Sequence, residues 1–288
     1  MKNIALVLEG GALRGIFSAG VLDAFIEEGI VFPYIVSVSA GSCNALSYIT
    51  GQSGRTKECM LSSGDDTFYG SGEFLKSRKI INFDKLFDEF PYNQFPFDFD
   101  TYFNSGIRHE IVATRCVDGK PTYFSALKDP DDLVLKAKAS CSMPVFCNEV
   151  MIYGQAYLDG GISDPIPVQH AADMGFDKMV VVLTRQDGIY PHVSRGMQLV
   201  YHMLYKDFPE LIAEYNGRPA LYKSQIDMVH ELENEGKAFV FRPTIRTVSH
   251  FETDHEKLKG LYNHGYESVK KELDRFLNFL NNADDIND

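Results

Sequence analysis

Residues 35–46 read IVSVSAGSCNAL. The run begins apolar, alternates with serine as far as Ser39, and passes through Ala40 and Gly41 into a stretch with helical character. A strand giving way to a helix at a small polar turn is the plain reading. The sharper reading is a G-x-S-x-G elbow, in which a strained turn lifts the serine hydroxyl clear of the sheet. Small residues two before and two after the serine let strand and helix approach each other. Here the frame is Ser37-Val38-Ser39-Ala40-Gly41, so serine stands in the first glycine position. In such an elbow the N–H of Ala40 adds a donor for an oxyanion.

The surroundings supply the context that an elbow needs. NIALVLEGG is a short apolar run closed by glycines, the pattern of a strand buried on both faces. IFSAGVLDAFIEEG then carries Ile16, Ala19, Leu22, Phe25 and Ile26 at helical spacing and stops at Gly29. FPYIVSVSA is the next strand and SCNALSYITG the next helix, ended by Gly51. Strand and helix alternating in this way predict βαβ units and a mainly parallel sheet. HEIVATRC, PTYFS, DKMVVVLT and KAFVFRP read as further strands. DDLVLKAKAS, residues 195–235 and the amphipathic DHEKLKGLYNHGYESVKKELDRFLNFL read as helices. Residues 52–105 change character and are dense in Phe and Tyr from 83 to 103, which predicts an insertion or cap. The aromatic part serves either as a lid or acyl pocket, or as packing between cap and body. The acidic end NNADDIND reads as a frayed tail. No repeat or flexible linker divides the chain, so residues 1–288 are expected to form one domain, with a cap at 52–105 and a helical region at 195–288.

Two further stretches carry chemistry. In LEGGALRG, residues 8–15, glycines between a strand and a helix let backbone N–H groups face an anion. A dinucleotide fingerprint requires glycine where Ala12 stands, and a phosphate-binding loop requires Lys-Ser/Thr where Ile16 follows Gly15, so neither fits. An oxyanion hole or a simple tight turn remains. In YLDGGISDPIPV, residues 157–168, Asp159 ends a strand before Gly160 and Gly161; it either takes part in chemistry or shapes the turn. A Ser-His-Asp enzyme of the α/β-hydrolase type places its serine after several strands and its histidine last. Ser39 follows a single earlier strand besides its own, and no histidine stands in an obvious catalytic loop.

Bulk properties narrow the partners. The 288 residues are 44% hydrophobic and 24% charged, enough for one large core and too apolar for wholesale disorder. The net charge of −12 disfavours nucleic acid, and it disfavours anionic lipid too, so any membrane contact would have to be apolar. Nothing in the chain approaches the ~18 consecutive apolar residues of a spanning helix. The N-terminal apolar run is cut short by Glu9, unlike a secretory signal. Five cysteines (43, 59, 116, 141 and 147) show no CxxC pairing or zinc pattern, and a reducing, cytoplasmic setting is expected.

Taken together, the three chemistry-bearing stretches resemble the patatin-like phospholipase family. Its pattern is a G-G-G-x-R/K-G loop, a G-x-S-x-G serine and an Asp-Gly-Gly/Ala aspartate, in that order. The likeness runs from the first strand to residue 184 and includes ASCSMPVF before the aspartate strand. It looks closest to bacterial cytoplasmic members that carry the pattern seen at Asp159, Gly160, Gly161, Asp164, Pro165, Pro167 and Val168. The resemblance implies a three-layer α/β/α fold with an α-rich cap, and lipid or other acyl-ester hydrolysis without metal or cofactor. It makes Ser39 the nucleophile and Asp159 its partner in a Ser-Asp dyad that lacks histidine. Gly10, Gly11 and Ala12, with Ala40, supply the oxyanion hole; Arg14 supports it, and Gly15 and Gly41 complete the motifs. Ala12 replaces the third loop glycine and Ser37 the first elbow glycine. If the loop needs a positive φ at residue 12, the alanine Cβ costs roughly 1–2 kcal/mol. Those two departures keep open an alternative, a non-hydrolytic lipid- or acyl-binding protein on the same fold. A serine peptidase would need a cleft for extended peptide, of which the sequence gives no sign.

Overall fold

The computed structural model describes residues 3–62, 82–125 and 127–281. Part of the expected cap and nearly all of the acidic tail therefore lie outside the described residues. Strand β1 (Ile4–Leu8) leads through a 3-10 turn (Ala12–Gly15) to helix α1 (Ile16–Glu27), then β2 (Tyr34–Val38) and α2 (Ala40–Ile49). Short helices α3 (Arg55–Met60) and α4 (Phe99–Asn104) precede β3 (Arg108–Arg115), β4 (Pro121–Phe124) and α5 (Pro130–Cys141). The hairpin of β5 (Val150–Ile152) and β6 (Gln155–Asp159) is followed by α6 (Val168–Asp173) and β7 (Lys178–Val182). Helices α7 (Arg195–Leu204) and α8 (Pro209–Asn234), strand β8 (Ala238–Phe241) and helix α9 (His255–Asn281) complete the described residues. The single helical stretch expected over 195–235 is thus two helices, because Pro209 has no N–H to continue a helix and instead starts α8.

The strands form one eight-stranded sheet. β8, β7, β1, β2 and β3 run parallel in that spatial order, while β4, β5 and β6 are antiparallel to their neighbours. Alternation along each central strand explains the layers. Ile4, Leu6 and Leu8 of β1 join a cluster with Phe17 and Phe25 of α1, Ala45 of α2 and Val269 and Phe276 of α9. Ala5 and Val7 face the opposite way, toward Val168 and Ala171 of α6 and Tyr222, Ile226 and Val229 of α8. All five side chains of β1 are fully buried, each worth about 1.5–3 kcal/mol for the larger residues. A sheet covered on both faces by helices is the three-layer α/β/α arrangement that the family resemblance implies.

Within the aromatic stretch, Phe87, Phe90, Phe97 and Tyr102 are buried in the same cluster as α1 and α2. They pack the segment onto the body, whereas Phe83 and Leu86 line an apolar pocket beside Ser39. Among the described residues no helix is long and apolar enough to cross a membrane.

Candidate active site

Strand register brings residues 39 and 159 together. β2 pairs with residues 108–112 of β3, ending at Val38 opposite Val112. β6 pairs antiparallel with residues 113–115, ending with Asp159 opposite Ala113. Both lie on the same edge of β3. The N–H groups of Arg108 and Cys116, an even number of residues apart, donate to Pro33 and Ala156 respectively, while that of Arg115 donates to Lys120 on the β4 side. Successive amides of a strand point to opposite edges. β2 and β6 therefore meet end to end along one edge, and the residues at the junction are Ser39 and Asp159. The serine Oγ donates a 2.6 Å hydrogen bond to Asp159 Oδ2.

The turn at Ser39 is strained, with φ 54° and ψ −124°. A non-glycine residue held there costs on the order of 1–3 kcal/mol. Ser39 is the N-cap residue of α2, yet its side chain makes no capping bond, which leaves the hydroxyl for Asp159. Gly41 is required by closeness: a Cβ there would sit 2.8 Å from the carbonyl oxygen of Leu8.

A buried polar chain holds the turn from behind. Ser39 N–H donates to Ser140 Oγ at 2.8 Å, and Ser140 Oγ donates to the carbonyl of Val112 at 2.6 Å. Ser42 Oγ lies 3.2 Å from Ser140 Oγ and accepts from Ser37 Oγ at 3.1 Å. Ser37 Oγ in turn lies 2.7 Å from His109 Nε2, whose Nδ1 is 2.8 Å from the hydroxyl of Tyr102. Protons running one way, from Tyr102 through His109, Ser37, Ser42 and Ser140 to Val112, satisfy every hydroxyl. Burial pushes the His109 imidazole down to about 3, so it stays neutral as this scheme needs. Serine at position 37 is therefore accommodated: its hydroxyl is a link in the scaffold of the turn.

Asp159 is held as tightly. Its Oδ1 accepts from the N–H of Gly161 at 2.7 Å, and its main-chain carbonyl accepts from Thr114 Oγ1 at 2.8 Å. Burial raises its pKa above the usual carboxylate value; the Ser39 hydroxyl, the Gly161 amide and the charge of Arg218 pull it back, and burial prevails. Gly160 fits against β3, since a Cβ would meet the Val112 carbonyl oxygen at 2.3 Å.

The first glycine turn closes over this pair. Gly10, Gly11, Ala12, Ser39 and Asp159 line one cavity of about 160 Å³. A Cβ on Gly11 would come within 2.5 Å of Thr184 Oγ1. Ala12 does adopt a positive φ, 49°, so the alanine carries the strain foreseen for it. Ala12 opens the 3-10 turn and Ala40 opens α2, so their N–H groups are first-turn donors with no acceptor inside their own helices. Gly15 lets that turn meet α2, where a Cβ would stand 2.8 Å from Ala40 Cβ. Arg14 is buried at 6% exposure, with its guanidinium on the ring of His250, 3.0 Å from Nε2. Among the described residues no three His, Cys, Asp or Glu side chains gather as a metal-binding group.

Several lining residues come from beyond the three motifs. Arg218 of α8 donates from Nε to the carbonyl of Gly161, and Tyr201, Tyr215, Met197 and His250 complete the wall. No local pattern in the sequence marks them, because α7, α8 and the segment before α9 reach the site only through the packing of the C-terminal region.

The comparisons with known proteins give the family of the chain. The family profile described as patatin-like phospholipase matches residues 6–172, more than half of the chain. The chain belongs to the patatin-like phospholipase family. A second profile, a domain of unknown function (DUF6363), matches residues 208–281. The uncharacterized protein YjjU of Escherichia coli is 36% identical over 194 residues, covering 65% of this chain and 54% of that protein. Human patatin-like phospholipase domain-containing protein 2 is 26% identical over 181 residues, covering 58% of this chain and 34% of that protein. The chain thus spans about half, or less, of the length of these relatives. The structure of VipD from Legionella pneumophila superposes with a TM-score of 0.54 at 13% identity, over 96% of this chain and 67% of that one, a likeness of fold. Membership of the family supports hydrolysis of lipid acyl groups as the general class of activity.

Proposed function

We propose that this protein is a lipid acyl hydrolase working through a Ser39–Asp159 dyad. The observation that carries the proposal is the 2.6 Å contact between Ser39 Oγ and Asp159 Oδ2 beside the first glycine turn. Ser39 Oγ attacks the ester carbonyl carbon while its proton passes to Asp159. The carbonyl electron pair moves onto oxygen, where the N–H groups of Gly11, Ala12 and Ala40 receive it; losing one such donor typically costs about 3–4 kcal/mol of transition-state stabilisation. Collapse of the tetrahedral intermediate expels the alcohol, which takes the proton from Asp159. Water, deprotonated by the same carboxylate, then attacks the acyl carbon, and the bond to Ser39 Oγ breaks as Oγ takes the proton back from Asp159 and the acid is released. Ser39 stands where two pockets meet. One is the cavity just described, lined by charged and aromatic side chains; the other, of about 90 Å³, is lined by Leu13, Met60, Phe83, Leu86, Met143 and Phe251 among others. The apolar pocket suits the acyl chain, and the charged one suits the alcohol.

A fluorophosphonate probe is expected to label Ser39 in the native protein and to leave Ser39→Ala unlabelled. Absence of labelling in the native protein, with no turnover of any ester, would favour the non-hydrolytic binding reading instead. The ionisation of Asp159 gives a second test. The base form of Asp159 is the active one, so activity is lost as pH falls through its raised pKa. The acidic limb of kcat/KM should therefore lie above the ~3.9 of a free aspartate. Removing the charge that pulls it down, in Arg218→Gln, should move that limb to higher pH. A limb at the free value in the native enzyme, or one that moves down in the variant, counts against Asp159 as the base.

A further inference from the structure

We propose that Cys43 and Cys141, which face each other in the wall of the apolar pocket beside Ser39, are a site of reversible oxidation by hydroperoxides, and that the disulfide so formed slows hydrolysis at Ser39. The slowing rests on the hydrolase reading; the thiol chemistry does not.

The argument begins with placement. Cys43 lies in the first turn and a half of α2 and Cys141 is the last residue of α5; both are free thiols, with their sulfurs 3.7 Å apart. The residues just before them, Ser42 and Ser140, are also in contact, so the two backbones run side by side here. Both sulfurs line the same apolar pocket as Ser39. A small reagent that reaches the nucleophile through this pocket therefore reaches them too.

The two thiols are unequal in the way that oxidation requires. The hydrogen bond with Cys141 lowers the pKa of Cys43; burial opposes this and the charge of Arg55 adds to it. The same hydrogen bond, with burial, raises Cys141. One sulfur is thus favoured as the attacking thiolate and the other keeps its proton until it is needed. Cys59 lines the pocket as well, but burial pushes it up to about 12, which leaves it an inert thiol.

The chemistry balances with one hydroperoxide, ROOH. The Cys43 thiolate attacks the terminal oxygen, the S–O bond forms as the O–O bond breaks, and RO⁻ leaves as ROH with the proton that Cys43 gave up. Cys141 sulfur then attacks the sulfenic sulfur of Cys43; the S–S bond forms, the S–O bond breaks, and hydroxide leaves with the Cys141 proton as water. Two thiols and ROOH become a disulfide, ROH and water, and a reducing thiol reverses the change by exchange.

The disulfide acts on the backbone that holds the dyad. A disulfide is about 2.05 Å long, so the sulfurs must close by roughly 1.7 Å. On the α5 side, Cys141 stands between Ser140, whose Oγ accepts the N–H of Ser39, and Ser142, whose carbonyl accepts the N–H of Asp159 at 2.9 Å. On the α2 side, the N–H of Cys43 points back to the carbonyl of Ser39 at 3.4 Å. Closure therefore pulls on the supports of both partners in a 2.6 Å contact, and a displacement near 1 Å at a reacting pair costs about 100-fold.

The reduced protein, freed of reductant, is treated in parallel with equimolar hydrogen peroxide and with an equimolar long-chain fatty-acid hydroperoxide. Mass spectrometry is expected to show the loss of two hydrogens and a peptide that joins Cys43 to Cys141. The rate on p-nitrophenyl decanoate should fall at least about tenfold and return with dithiothreitol. Faster closure by the fatty-acid hydroperoxide assigns the oxidant to a chain seated in the pocket, and equal or faster closure by hydrogen peroxide assigns it to the small peroxide; either ordering upholds the site. Cys43→Ser and Cys141→Ser should each bring the ratio of treated to untreated rate to about one, while Cys59→Ser keeps the native ratio. Oxygen added to single cysteines with no cross-link, or a cross-link through Cys147, overturns the pair. A Cys43–Cys141 disulfide that leaves the rate unchanged overturns the control of Ser39. Where a serine variant fails to fold, the peptide map and rates of the native protein decide. An unlabelled Ser39 in the reduced protein rejects the hydrolase reading, and the peptide map still decides the thiol pair.

Discussion

Replacing Ser39 by alanine is expected to lower kcat for ester hydrolysis on the order of 10⁴-fold or more, and Asp159→Asn to do nearly as much. The reason for expecting both is that the two groups act on one proton. Without Oγ there is no acyl acceptor, and without an ionised Oδ2 the proton on Oγ has nowhere to go. Asparagine preserves the outline of the side chain, and its amide oxygen can still accept the N–H of Gly161 that now bonds Oδ1 at 2.7 Å, so the loss would reflect chemistry. The double variant should be scarcely worse than either single one, because residues that act as a unit lose their whole effect together. Stability supplies an independent check. Burial raises the Asp159 pKa in the folded state, so its ionised form costs folding free energy at neutral pH and the protonated form at low pH does not. Asp159→Asn should therefore melt at the same temperature as the native protein or higher near pH 7, with the difference shrinking as pH falls. Steady-state rates on a soluble ester, with melting curves at two pH values, read both effects. A single variant retaining more than about a tenth of the native rate would remove the dyad.

The sequence carried the local geometry of this site better than its assembly. The apolar run of β1, the serine alternation of β2, the glycines that end α1 and α2, and the strand-to-helix step at Ser39 are short-range signals that the structure repeats nearly residue for residue. The meeting of Ser39 with Asp159 is another matter. It depends on β6 running antiparallel along the same edge of β3 as β2, which no spacing between positions 39 and 159 can encode. The family resemblance points to that pair; the local pattern alone leaves Asp159 open between chemistry and a turn. Ser37 teaches the converse. Read as a damaged elbow glycine, it is instead a fully buried donor and acceptor joined to His109, a partner 72 residues away. Arg218 and His250 were invisible for a simpler reason: each sits in a stretch whose own pattern says only helix or loop, and only the packing of the C-terminal region turns them toward Ser39. The break between α7 and α8 falls at Pro209, but the flanking periodicity is helical on both sides and Pro219 lies inside α8 without ending it, so a proline alone does not place the break.

Gly265→Ala is expected to destabilise the protein by about 3 kcal/mol, lowering its melting temperature by roughly 6–12 °C, while Gly260→Ala on the same helix stabilises it slightly. Both residues lie within α9, where alanine is intrinsically favoured over glycine by about 1 kcal/mol. At position 260 a Cβ would meet nothing within 4 Å, so the propensity gain stands alone. At position 265 it would lie 2.1 Å from the carbonyl oxygen of Phe17 on α1, and the reciprocal contact is as close: a Cβ on Gly20 would lie 2.1 Å from the carbonyl oxygen of Tyr262. The obstacle on each side is helix backbone, which has no rotamer to yield, so the helices must part. Parting them loosens Phe276 from its 5.1 Å stacking with Phe25 and unseats Leu261 and Val269, all buried in the core on that face. Overpacking therefore outweighs propensity at one glycine and is absent at the other, five residues away. The same substitution should carry opposite signs in thermal melts of the two variants. Equal shifts at both positions would mean that α9 docks on α1 more loosely than these contacts require.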